Sequence, residues 1–153
     1  MKLRIMMIMI TFTMFSCKQW SVPNELVGEW KSSTVEITVR IKDEKGNFKF
    51  IKDTAYIHIK IYQNNIVDGK IGIASFDNAR IVKNAGLPPS ITGIAYIIKD
   101  IEINKIFKKD PLDKKSIELW LSPLKGDTLE VEIRYTSNLS QFPMSGFTLI
   151  KNK

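Results

Sequence analysis

The polar residues of this chain offer two kinds of acid–base chemistry. Glu130/Glu132 and Asp100/Glu102 stand two residues apart, the spacing that puts two carboxylates on one face of a strand, and paired carboxylates can divide the work of acid and base. With 23 Lys+Arg against 16 Asp+Glu, these pairs are expected instead to form a solvated, salt-bridged face. His58 is the sole histidine and Cys17 the sole cysteine, which argues against a multi-histidine or cysteine-rich metal centre and against a disulfide framework within the monomer. A Ser-His-Asp set would have to use His58, and no Gly-x-Ser-x-Gly elbow accompanies it. The expectation is a protein that is not an enzyme and calls for no metal or cofactor, with His58 an ordinary surface or lumen residue.

The segments that would carry these residues read as strands. Val35, Ile37, Val39 and Ile41 alternate with Thr34, Glu36, Thr38 and Arg40; Ile57, Ile59 and Ile61 alternate with Tyr56, His58, Lys60 and Tyr62. Ile117, Leu119 and Leu121, and then Leu129, Val131, Ile133 and Tyr135, repeat the pattern. Period two places apolar side chains on one face and polar ones on the other, and an isoleucine-rich, alanine-poor composition favours strand over helix. Lys45-Gly46-Asn47, Asn64-Asn65, Asp68-Gly69 and Lys125-Gly126-Asp127 carry hairpin chemistry. Ile94, Tyr96 and Ile98 share one parity and Ile101 and Ile103 the other, so a turn or bulge is expected near Lys99-Asp100. At 153 residues, 44% hydrophobic and 25% charged, the chain has room for one globular domain. About eight to ten short strands fit a single all-β, antiparallel up-and-down barrel, which also removes exposed strand edges.

Tyr56, Tyr62, Phe76, Tyr96 and Trp120 fall opposite the aliphatic stripes or near strand ends. In a barrel they line either the lumen, as walls of an apolar pocket, or the outer face, as a patch for a protein partner. The lysines are spread evenly apart from Lys108-Lys109 and Lys114-Lys115, which flank one loop. That loop has the charge to touch an anionic surface, although solubility is the simpler account. No basic stripe with interleaved aromatics points to nucleic acid.

The first residues read as an address. Lys2 and Arg4 precede an apolar run of about eleven residues, roughly 16 Å as a helix, which is half of what a bilayer core of about 30 Å requires. The run ends in Met14-Phe15-Ser16-Cys17, which resembles the lipobox of bacterial lipoproteins, with Met14 where Leu is usual and Phe15 where a small residue is usual. The resemblance implies cleavage between Ser16 and Cys17 and acylation of Cys17. Residues 1–16 would then be the signal peptide, 17–24 the lipidated tether and 25–153 the barrel domain. Loss of the two cations Lys2 and Arg4 takes the formal charge from +7 to +5. No acidic residue directly follows Cys17, which in such lipoproteins favours the outer membrane, facing the periplasm.

Leu26-Val27-Gly28-Glu29-Trp30-Lys31 resembles the Gly-x-Trp opening of the lipocalin and calycin group, with Gly28 and Trp30 at the start of the first strand. The resemblance implies that Trp30 plugs the barrel base while Gly28 lets the chain pass beneath. Gly146-Phe147-Thr148-Leu149-Ile150-Lys151 is similar to a closing strand that pairs back to the first. Lys151 stands where lipocalins proper carry an Arg against the Trp, so the smaller bacterial lipocalin-like domains are the nearer comparison. The expected protein is a monomer anchored to the cell envelope by its N-terminal lipid. It would bind a small hydrophobic ligand in its barrel or, alternatively, an envelope protein as a structural module with a filled core.

Overall fold

The computed structural model of the protein describes residues 20–42, 45–86, 93–108, 110, 114–123, 125–136 and 144–152. Residues 1–16, where the sequence suggests a signal peptide, and Cys17 lie outside them, as does Lys109. Ten strands form: β1 (Gly28–Ser32), β2 (Val35–Lys42), β3 (Phe48–Ala55), β4 (Ile57–Ile61), β5 (Ile66–Ile71), β6 (Ala74–Lys83), β7 (Tyr96–Ile103), β8 (Lys115–Pro123), β9 (Thr128–Tyr135) and β10 (Met144–Asn152). Among the described residues there is no helix. Eight strands close an antiparallel barrel in the order β1-β10-β9-β8-β7-β6-β5-β4, and β2 and β3 pair only with each other. The meander is thus interrupted once, by a hairpin that leaves after β1 and returns before β4. Ser32 secures the crossing, its hydroxyl accepting the Ile57 N–H at 2.8 Å.

The register defines two ends. At the base, Gly28 faces Ile61 and Glu29 faces Asn152, and the 62–65 turn and residues 125–127 lie there. At the other end lie the β2–β3 hairpin, the Gly72-Ile73 turn and residues 104–108, 110 and 114. Alternation fills the space between. Ile57, Ile59, Val67, Ile71, Ile98, Leu119, Val131, Ile133 and Leu149 are wholly buried. A side chain bordering a void wide enough for one water molecule would present surface to it; these present none, so the barrel is solid along these walls. Eight strands give an interior of the width that side chains can fill.

Of the three register shifts among the described residues of the wall, one lies between Met144 and Phe147 of β10, and the other two bear on the sequence. Between Ile98 and Ile101 the β7–β8 register slips, with Asp100 at φ 61°, which is the bulge that the parity change near Lys99-Asp100 requires. The other overturns a reading of the sequence, because Asp68-Gly69 is not a turn but part of β5. Asp68 opposes a bulge in β6, where its carboxylate accepts the N–H of Asn78 (φ 59°) at 2.9 Å. Gly69 pairs with Ile59 on one side and Phe76 on the other; a Cβ there would stand 2.8 Å from the Phe76 Cζ and 2.9 Å from the Ile59 Cγ2. The Phe76 ring lies in the space that a side chain at position 69 would take. The actual β5–β6 turn is Gly72-Ile73, which lacks the paired polar residues of a recognisable turn.

Candidate functional site

The base carries the Gly-x-Trp motif. Trp30 is buried and donates its indole N–H to the Leu26 carbonyl at 2.8 Å, holding the 23–27 turn under the barrel. Gly28 adopts φ +131°, a conformation that L side chains rarely take, and a Cβ there would lie 3.1 Å from the Lys151 Cε. Lys151 pairs with Trp30 across β1 and β10, places its ammonium 5.4 Å from the ring centroid and donates to the Glu25 carbonyl at 2.7 Å. The lysine therefore puts a cation on the indole where the resemblance had an arginine.

The five aromatic residues of the sequence reading do not converge. Phe76 points into the barrel core over Gly69. Tyr96 is half-buried at the base, its ring centroid 6.0 Å from that of Trp20, and burial, then the Glu25 carboxylate, raises its phenol pKa. Tyr62 opens the 62–65 turn, with the Lys60 ammonium 5.1 Å from its ring. Trp120 lies on the outer face of β8, donating to Glu118 at 2.8 Å beneath the Arg134 guanidinium, 3.6 Å away. Tyr56 is exposed at the hairpin end.

The polar face is largely self-satisfied. Glu132 binds Arg134 at 2.9 Å and Glu102 binds Lys114 at 3.1 Å, so one member of each carboxylate pair of the sequence is engaged in an ion pair. His58 lies on the outer face of β4 with its Nε2 3.6 Å from the Glu29 carboxylate. Hydrogen bonding from Asn152, then the Lys31, His58 and Lys60 charges, hold the Glu29 pKa below the ordinary carboxylate value against some desolvation. Glu29, His58 and Lys60 border an open groove of about 260 Å³ with Tyr62, Asp68 and Asp77. Among the described residues, no group of three or more His, Cys, Asp and Glu is placed to hold a metal ion.

The hairpin end is both plugged and apolar at its surface. Ile106 and Phe107 are buried in the core, as is Ile37 from the hairpin. Asp110, 1% exposed, accepts the Ile106 N–H at 2.9 Å, and its own N–H reaches the Phe107 carbonyl, so one carboxylate closes the plug. Burial foremost, then Asp110, raises the Tyr135 pKa well above its ordinary value. Around the plug, Phe50 (62% exposed), Ile73 (63%) and Tyr56 (40%) are three of the four large hydrophobic side chains that stand open to solvent among the described residues, the fourth being Ile150. Beside Ile73 an open depression of about 690 Å³ is lined by Ala74, Ser75, Asn104 and Lys105. In the sequence only the lysines flanking the loop marked this closure, and Asp110, Ile73 and Phe50 carried no mark at all.

No family model, curated protein or solved structure matches this chain. The fold itself defines the class: a closed eight-stranded antiparallel barrel, consistent with a lipocalin-like fold.

Proposed function

We propose that the chain is a lipid-anchored, non-catalytic interaction module of the bacterial envelope, whose barrel is a solid support presenting its hairpin-bearing end to a protein partner. The observation that carries this reading is the filled interior: walls without exposure, Trp30 and Leu26 beneath them, and Ile106 and Phe107 above. Exposed Phe50, Tyr56 and Ile73 supply the apolar anchors that a partner would cover. Acylation of Cys17 supplies the membrane attachment, since two or three acyl chains hold firmly where one is marginal.

The second reading, a small apolar ligand within the barrel, rests on the barrel architecture itself. Such a ligand would have to displace Phe76 and its isoleucine neighbours. Native mass spectrometry of the protein extracted from its own cells separates the two. The interaction module is expected without a bound lipophile and with a protein that co-purifies, and substitution of Phe50 and Ile73 by Ser is expected to release that protein. A stoichiometric lipophile would overturn this reading in favour of the ligand. Replacement of Cys17 by Ser tests the anchor, with loss of membrane association as the expected outcome.

A further inference from the structure

Resting on the acylation of Cys17 proposed above, we infer that the base of the barrel lies directly against phospholipid headgroups and that the hairpin end faces away from the membrane. The tether of the sequence reading is not free along its length. The Asn65 side chain grips it from both sides, donating to the Trp20 carbonyl at 3.0 Å and accepting the Val22 N–H at 3.1 Å. Gln63 donates to the Val22 carbonyl at 3.1 Å. Val22 is buried, and the Trp20 ring rests near Tyr96. Only Lys18 and Gln19 remain between the acylated residue and this clasp. Three Cα–Cα steps of 3.8 Å span at most about 11 Å, comparable with the headgroup layer itself.

The clasp sits on the 62–65 turn, so the short lead fixes which end is held down. The surface that meets the membrane carries the uncharged amides of Gln63 and Asn64 and the lysines at 83 and 125, opposed by Glu25 and Asp127. A mixed polar rim of this kind suits the phosphate and ammonium groups of a bilayer surface, and a tryptophan such as Trp20 is at home at that depth. The opposite end is about 20 Å higher, since an eight-residue strand rises about 3.3 Å per residue and tilts by about 40° in a barrel. Lys108 and Lys114 belong to that opposite end and are carried out of reach of the same leaflet, while Phe50, Tyr56 and Ile73 are presented outward.

The test uses the acylated protein in vesicles of phosphatidylethanolamine and phosphatidylglycerol containing a nitroxide-headgroup lipid. Cys17 is the sole native cysteine and is blocked by its thioether, so Asn64→Cys and Ile73→Cys each accept a single fluorophore. The expected result is loss of most emission at position 64 and its retention at position 73. Equal quenching at both positions, or the reverse order, would overturn the inference while leaving the anchor intact. An N-terminus without acyl chains by intact mass would overturn the anchor reading and this inference with it. Asn65→Gly keeps the left-handed turn (φ 66°) and deletes only the gripping amide. It is expected to shrink the difference between the two labels, and an unchanged difference would remove the clasp as its cause.

Discussion

Replacing Phe76 by Ala asks whether the barrel is solid. The ring is 4% exposed and fills the space above Gly69. Gly69 has no side chain to swing into the vacated volume, and the adjacent Ile59 is branched at Cβ and stiff at χ1. The surrounding wall is a closed hydrogen-bonded ladder, so collapse into the gap is limited. Transfer of the ring alone contributes about 1.5–3 kcal/mol. Adding the unrelaxed cavity brings the expected loss to about 3–5 kcal/mol. In a hollow lumen the ring would lack contacts on one side, and truncation would cost about 1 kcal/mol or less. Equilibrium urea unfolding followed by tryptophan fluorescence measures the difference. At an m-value of about 2 kcal/mol/M the midpoint should fall by about 1.5–2.5 M with m unchanged. A fall of less than about 0.5 M at the same m would refute the claim that Phe76 is packed into a filled core.

Two further outcomes follow from the hairpin end. Asp110→Ala leaves the buried Ile106 N–H without its 2.9 Å acceptor and should cost about 1–3 kcal/mol, with faster hydrogen exchange at that amide; Asp110→Asn keeps an acceptor and should recover part of the loss. Tyr135 has a folded-state pKa raised above that of the unfolded chain, so its contribution is complete below about pH 10 and declines as pH rises past it, by up to about 1.4 kcal/mol per pH unit. Unfolding measured from pH 9 to 11 should show that decline in the native protein and a shallower one in Tyr135→Phe.

The barrel and the bulge at Asp100 were legible because both are statements about parity, which the isoleucines of β4 and β7 record residue by residue. Whether the interior is hollow was not legible. Parity tells which side chains turn inward, whereas filling depends on how sizes from different strands meet, as Phe76 meets Gly69. Asp68-Gly69 misleads for a related reason: a side-chain acceptor and a missing Cβ serve a tight turn, and the same two properties serve a bulge and a ring-to-backbone contact. The Asn65 clasp left no periodic trace, since it binds the backbone of residues 20–22 whatever their side chains. The aromatic set was read as one group on position along strands, but Phe76 turns inward, Trp120 sits on the outer face of β8, and Tyr96 and Tyr56 lie at opposite ends.

β1 has an unusual place in assembly. One of its neighbours, β10, lies at the far end of the chain, with Glu29 meeting Asn152 across 123 positions. Cylinder closure therefore awaits the synthesis of β10. A polypeptide truncated before residue 144 would leave β1 and β9 with bare flanks, each a template for a stray strand from another molecule. Copies that lack β10 are thus expected to clump rather than persist as shortened barrels, so that translation through β10 is itself a condition of solubility.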